Sequence, residues 1–450
     1  MRKRWYIPAG IAAVAISLAG TLTATADPGP KPNFYRMFPD LPGFTEPTQQ
    51  QIADLAQTML DPNADAGDNP DAPSGFTYFG QFLDHDLTLD SSPVPLAPED
   101  PTDESNGRVF AFDLDSMYGP DAYTAHPEVY TPSGKFLLQE PNANGVRDYI
   151  RRPDGSAVIF EGRNDENEII AQIQIAMMKA HNRLIDAGLS FENARQTLIT
   201  AYQEAIFSDF MPHLLMPVDS KTLKKLDPKK TGTPLEFSVA AYRFGHSMVR
   251  KAYVLNEGTG KIQVFSLTAP DLRGGRAIPA GRQIHWGEFF SDIPLTNTDG
   301  NPINVSRRID RLISSGLFVL PIPGAEATGS NVLAFRNMSR AVFYNMPSGE
   351  SVAKELGIPI LPFPAIGPGF TTGTPLWYYI LWESEFVNGG SKLGPVGSAI
   401  VTASFQSALK NGDKLVKGKT DSTQLNALRG PDGNMTVSDL FVFAGVSQGL

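Results

Sequence analysis

No cysteine occurs anywhere in the 450 residues. That absence excludes thiolate metal sites, iron–sulfur clusters, thiolate-ligated haem and cysteine nucleophiles. It also leaves stability to the buried core rather than to disulfides. Basic residues are in deficit, 38 Lys and Arg against 48 Asp and Glu, for a formal charge of -10. A chain this acidic has no counterion-release route to nucleic acid, so no nucleic-acid partner is expected. Histidine is scarce, with only His85, His126, His181, His213, His246 and His285. Long apolar runs are missing too, apart from one at the start. There Arg2, Lys3 and Arg4 precede the uncharged stretch Ile7 to Gly20, and Ala24-Thr25-Ala26 supplies small residues before Asp27. This pattern predicts a secretory signal peptide over residues 1–26, cleaved near Ala26. The mature protein is then expected to be secreted or periplasmic, with no transmembrane segment.

Glycine and proline, by contrast, are plentiful at 41 and 37. With apolar residues spread throughout, they indicate long loops between elements rather than disorder. Residues 27–70, rich in Pro, Asp and Asn, read as an N-terminal arm packing on the core, and residues 71–450 as the catalytic domain. Ile170, Ile173, Met177, Ala180 and Leu184 repeat at helical spacing and predict a helix over 165–187, started by Asp165 and Glu168 as a capping box and stopped at Gly188. Ala194, Leu198, Tyr202, Ala205 and Phe210 predict a second over 191–210. Residues 235–254 are apolar nearly all round, the pattern of a buried helix. Helices are also predicted over 376–388 and 394–410. Strand-like alternation is scarce. The fold class is therefore mainly α, a single large helical domain with long loops and little β.

Two histidines keep unusual company. In Phe76-Thr77-Tyr78-Phe79-Gly80-Gln81-Phe82-Leu83-Asp84-His85-Asp86-Leu87, two carboxylates flank His85 inside an aromatic run. Burying three ionisable groups together is costly unless a metal, cofactor or partner satisfies them. His246, in Tyr242-Arg243-Phe244-Gly245-His246-Ser247-Met248, shares a helical stripe with Val239, Tyr242, Val249 and Tyr253. Such a histidine is either a satisfied core residue or an axial iron ligand, which needs a neutral imidazole in a dry pocket. Arg163 and Glu166 extend the buried stripe of the 165–187 helix backwards, placing charge on a core face.

Together these segments resemble the animal haem peroxidase superfamily, its bacterial peroxidase-cyclooxygenase members most closely. Gly80-Gln81-Phe82-Leu83-Asp84-His85-Asp86 matches the family's distal motif. Arg163, Glu166 and His181-Asn182-Arg183 match its next segment, and Arg243-Phe244-Gly245-His246 its proximal one. Asn337 and Arg340 match its later asparagine-x-x-arginine. Phe112-Asp113-Leu114-Asp115-Ser116-Met117-Tyr118-Gly119 resembles its calcium loop, and Leu393-Gly394-Pro395-Val396-Gly397 a late structural motif. The matches run in chain order across most of the mature chain.

The resemblance implies a haem-dependent peroxidase that reduces hydrogen peroxide and oxidises small donors such as halides (bromide, iodide), thiocyanate or phenols. It implies that His85 moves a proton between the two peroxide oxygens, that Arg163 stabilises the departing oxygen, and that Gln81 lines the pocket. It implies that His246 ligates the iron of haem b, that Asn337 accepts the other imidazole N–H, and that Arg243 and Arg340 pair with the propionates. Asp84 and Glu166 match the carboxylates that esterify haem methyl groups, so covalent haem is expected. Asp86, Asp113 and Asp115, with the backbone carbonyls of Val109 and Ala111, are implied to hold calcium. Val109 and Asp115 stand where a threonine and a serine are usual, which removes one ligand and adds one charge. Asn167 stands where some members carry a methionine that makes a third haem link, which favours bromide, iodide or thiocyanate over chloride.

Three other readings compete. A fatty-acid dioxygenase of the same superfamily would use a tyrosine three residues before the proximal histidine, where Arg243 stands. Tyr242 is adjacent but is expected to point elsewhere on its helix. An adhesion or matrix protein on the peroxidase scaffold would not need His85 and Arg163. A metal-dependent hydrolase built on Asp84, His85 and Asp86 lacks a second ligand cluster at zinc spacing.

Overall fold

The computed structural model describes residues 34–63, 67–89, 106–141, 147–226, 232–266, 268, 270–294, 304–322, 331–415 and 418–446. The expected signal peptide and its cleavage site lie outside the described residues. The molecule is mainly helical. Among the described residues strands pair only in twos, such as Asp68–Pro73 running antiparallel to Val305–Arg307. No helix among them is long and apolar enough to cross a membrane.

The Ser74–Leu87 helix runs through the middle of the core. Its aromatic residues explain why: Phe76, Phe79 and Phe82 are all buried. Phe79 meets Tyr202 and Phe210 edge-on at ring separations of 5.9 Å. Gln81, Asp84, His85 and Thr88 are spaced by three and four, so they share one stripe, and that stripe faces a cavity. Thr77 Oγ1 and Ser306 Oγ, 2.7 Å apart, tie the helix to the Val305–Arg307 strand.

The expected 165–187 helix begins later than its sequence suggests. Residues Gly162–Asp165 form a 3-10 turn, and the α-helix spans Glu168–Asp186. Its cap is Asn167, whose side chain accepts from the N–H groups of Ile169 and Ile170. Asp165 is not the cap because its carboxylate is committed to Arg151 at 2.7 and 2.9 Å. The 191–210 segment is helical over Phe191–Ala205 and then widens into a π turn over Ile206–Phe210.

The single buried helix expected over 235–254 is corrected. A π turn spans Glu236–Ala240, a 3-10 turn Ala241–Phe244 and one α turn Gly245–Met248, and Ala252–Val254 is a strand. Apolarity all round reported burial correctly but not periodicity. The path is broken at Ala240, at φ -129° and ψ -70°.

Residues 376–388 are helical as expected, and the next helix extends to Pro395–Leu415. Glu383 holds the two together, accepting from Val396 N at 2.9 Å and Gly397 N at 3.4 Å. A Cβ on Gly394 would lie 2.5 Å from Glu383 Cγ, so this close approach requires glycine. Residues 34–63 lie on this core. Phe34–Tyr35 pairs in parallel with Thr233–Pro234, and Met37 N donates to buried Glu236 at 2.8 Å.

Candidate active site

A cavity of about 340 Å³ opens between the Ser74–Leu87 helix, the 162–167 turn, the 238–249 segment and the Leu333–Phe343 helix. His85, Gln81, Asp84, Arg163, Glu166, His246, Asn337, Arg243 and Arg340 all line it. These nine residues come from four separate stretches of chain.

On one wall, His85 Nδ1 lies 2.7 Å from Asn164 Oδ1. Asn164 Nδ2 is committed to Gln174 Oε1, so its oxygen faces the imidazole. Burial, and then Arg163, hold the His85 imidazole down to a pKa of about 3, so it is neutral. Its Nε2 stands 4.0 Å from Glu166 Oε1. Gln81 Nε2 donates to the same Glu166 oxygen, and Gln81 Oε1 accepts from Asn167 Nδ2 at 3.2 Å.

Arg163 is held from several sides. Glu161 takes its Nε at 3.0 Å and its Nη2 at 2.9 Å, while the carbonyls of Thr88 and His85 accept from Nη2 at 2.6 and 3.3 Å. Nη1 is not used by these bonds. Burial opposes the charge on Arg163, but Glu161 outweighs it and the net shift is upward, so the guanidinium stays charged. Burial raises the Asp84 carboxyl, and it raises Glu166 to about 8 against the pull of Arg163. Both are therefore held toward the protonated form.

In the 238–249 segment of the same cavity, burial and Arg243 lower His246 to about 3, which leaves a second neutral imidazole. Asn337 meets its Nδ1 at 2.9 Å, but with the polarity opposite to that expected. Arg243 Nη1 donates to Asn337 Oδ1 at 2.8 Å, which turns the amide Nδ2 toward the imidazole. Accepting the His246 N–H requires the amide to turn over and Arg243 to find another partner. Arg340 lies over the Tyr344 ring and donates to its hydroxyl at 3.2 Å.

The expectation for Tyr242 is corrected as well. It lines the cavity and donates from its hydroxyl to Gly80 O at 3.1 Å. The 3-10 winding of Ala241–Phe244 changes the angle that α-helical spacing implies.

A second constellation lies beneath His85. Asp86, Asp113 and Asp115 are buried, and one ligating atom from each lies within 4.8 Å of the others. Asp86 accepts from Leu114 N, Ser116 Oγ and Tyr202 Oη at 3.1–3.2 Å. Leu114 takes a left-handed φ of 56°, which bends the loop around the acids. Neither carboxylate oxygen of Asp115 has a hydrogen-bond partner. Burial, together with one another's charge, raises all three carboxyls. Val109 and Ala111 sit in the loop leading to this cluster, where Ala111 N closes a tight turn on Val109 O at 2.8 Å.

Sequence reasoning missed Asn164, Glu161, Arg108 and Arg336. Arg336 lines the cavity one residue before Asn337. Glu161 and Arg108 carried a usable signal, since each is a charge abutting an apolar run, Ala157 to Phe160 before the one and Val109 to Phe112 after the other. Asn164 carried none, because its partner is far away in the chain.

Residues 112–273 match the profile of the family described as animal haem peroxidase. Among curated proteins, the chain is 25% identical to a chorion peroxidase of Drosophila melanogaster over 254 residues, 51% of this chain and 29% of that protein. It thus spans less than a third of that relative's length. Among solved structures it is similar to peroxidase A from Dictyostelium discoideum, with TM-score 0.62, 17% identity, and coverage of 95% of this chain and 97% of that one. It is also similar to a fatty acid alpha-dioxygenase from Oryza sativa with palmitic acid, with TM-score 0.54, 15% identity, and coverage of 91% and 78%. At such identities the likeness speaks for the fold alone. The animal haem peroxidase profile is thus matched over the stretch 112–273, and peroxidases are among the proteins to which this chain is similar in sequence and in fold.

Proposed function

We propose that this protein is an exported haem-dependent peroxidase that reduces hydrogen peroxide at the expense of small donors such as bromide, iodide, thiocyanate or phenols. One observation carries the reading: two neutral imidazoles, the buried His85 and the half-buried His246, line one cavity together with the fixed charge of Arg163. The donor set suits haem b. His246 offers an imidazole for iron, and Arg243, Arg336 and Arg340 offer cations for carboxylates. A carboxylate that takes Arg243 frees the Asn337 amide to turn, so that Oδ1 accepts from His246 Nδ1 and the Nε2 lone pair is left for the metal.

A bound haem would supply redox-active iron. The chain supplies proton handling and charge. Asn164 keeps the His85 proton on Nδ1, so the Nε2 lone pair faces the cavity and can take a proton from peroxide and return it to the leaving oxygen. Arg163 places a fixed cation beside it, where negative charge develops, and Glu161 prevents its reorientation. Gln81, held between Glu166 and Asn167, lines the pocket where small donors would enter. Asp84 and Glu166 are read as ester links to haem, supported by their place on the cavity wall and their raised carboxyl pKa.

Asp86, Asp113 and Asp115, with the carbonyls of Val109 and Ala111, are read as a calcium site. Three buried acids whose nearest ion pair is a single guanidinium, Arg108 at 3.5 Å from Asp115 Oδ1, are poorly compensated without a metal cation. Residues 1–26 are read as the export signal, 27–70 as an arm on the core, and 71–450 as the catalytic domain. The test is an absorption spectrum of protein purified with added haem, followed by peroxide turnover with bromide or iodide. A Soret band with donor-dependent turnover is expected. Protein that takes up no haem sinks the reading.

A fatty-acid dioxygenase is the second reading. Tyr242 on the cavity wall and the likeness to alpha-dioxygenase folds favour it. Oxygen uptake with linoleate in the absence of peroxide would select it.

A further inference from the structure

Four side chains, the first three of them buried, form a line of alternating charge from the acidic cluster to the cavity. Arg108 Nη1 lies 3.5 Å from Asp115 Oδ1, and Arg108 Nη2 donates to Glu161 Oε2 at 2.7 Å. Glu161 then grips Arg163 through Nε, Nη2 and the backbone N–H, at 3.0, 2.9 and 3.0 Å. Arg108 is 2% exposed and Glu161 1%, so solvent and salt screen these charges little.

Burying a guanidinium is costly and needs good ionic partners. One carboxylate would serve a purely structural arginine. Arg108 instead divides its two terminal nitrogens between an acid of the cluster and the acid that clamps Arg163, and its Nε is left without a partner. A cation in the cluster draws on the Asp115 carboxylate. Arg108 then rests more fully on Glu161, Glu161 holds Arg163 less tightly, and Arg163 has more charge to offer the cavity.

We infer that Arg108 is a positioning residue that joins the acidic cluster to Arg163, so that a divalent cation at Asp86, Asp113 and Asp115 and a small anion beside Arg163 bind with positively linked affinities. The inference rests on the peroxidase reading only for the identity of the cavity's occupant.

Fluoride binding to the ferric haem protein, followed by absorbance with and without a calcium chelator, reads the cavity end. Terbium luminescence of the haem-free protein reads the cluster. Chelation is expected to weaken fluoride binding by ~5-fold or more, within the usual range for coupled sites. In R108Q this dependence should vanish, fluoride should bind more weakly, and terbium should bind several-fold more tightly because a neighbouring cation is gone. A merely structural arginine would lower both affinities together. D115S, which keeps the buried guanidinium paired with Glu161, should also lose the dependence on chelation, and it serves if R108Q does not fold. Equal chelator responses in the native protein and either variant overturn the inference. If the chain takes up no haem, the peroxidase reading falls, and unchanged or weaker terbium binding by R108Q still overturns the role of Arg108.

Discussion

Asn164 Oδ1 sits 2.7 Å from His85 Nδ1, and Asn164 cannot turn because its Nδ2 is spent on Gln174 Oε1. This contact decides which imidazole nitrogen carries the proton. N164A should therefore slow the reaction with peroxide by ~10–100-fold, the usual cost of losing a group that orients a reactive histidine. N164D should do something different. A carboxylate at this place stabilises the imidazolium and lifts His85 from its value of about 3, so the acid limb of the pH–rate profile moves up toward neutrality. Rapid-mixing rates over a pH series distinguish the two. An unmoved limb in N164D removes Asn164 from this role.

The two imidazoles should fail in different ways. H85A is expected to retain haem and to lose ~10²–10⁴-fold in its rate with peroxide, the usual weight of a positioned acid–base. H246A should lose haem retention or shift the absorption spectrum. Normal peroxide kinetics in H85A would take His85 out of the mechanism.

Asp84 and Glu166 face one cavity with carboxyls held above their ordinary values. Acidified butanone is expected to leave haem on the denatured native protein and to extract progressively more from D84N, from E166Q and from the double variant. Complete extraction from the native protein ends the proposal of ester links.

Glu383 gives a prediction about stability alone. Burial raises its carboxyl from 4.5 to about 8, against the pull of the Val396 and Gly397 amides. The folded state therefore binds more protons than the unfolded one between those values. Its contribution is fully present below about pH 4.5 and is lost as pH rises through about 8. E383Q is neutral throughout and can still accept from Val396. It should match the native melting temperature near pH 5 and exceed it by about 1 °C near pH 8, roughly a 1 kcal/mol change for a chain of this size. Parallel melting curves at the two pH values would refute it.

Much of the site was legible because its chemistry sits in short motifs. Asp84, His85 and Asp86 are consecutive yet divide their work, since a helix turns His85 to the cavity and Asp86 to the acidic cluster. The errors arose where winding departs from α. The π and 3-10 turns of 236–244 end the expected 235–254 helix early and swing Tyr242 onto the cavity wall. The start of the Glu168–Asp186 helix was misplaced because Arg151, remote from the cap, claims Asp165.

The sequence by itself determined the residue types, their order and the mainly helical class, because periodicity and motif spacing are local properties of the chain. Only the tertiary structure decided which charges meet. That Glu161 clamps Arg163 while Arg108 reaches back to Asp115, and that Arg243 turns the Asn337 amide toward His246, depends on ångström-scale distances between remote segments. Coulombic and hydrogen-bond energies in a dry interior fall steeply with such distances, and no local pattern in the chain encodes them.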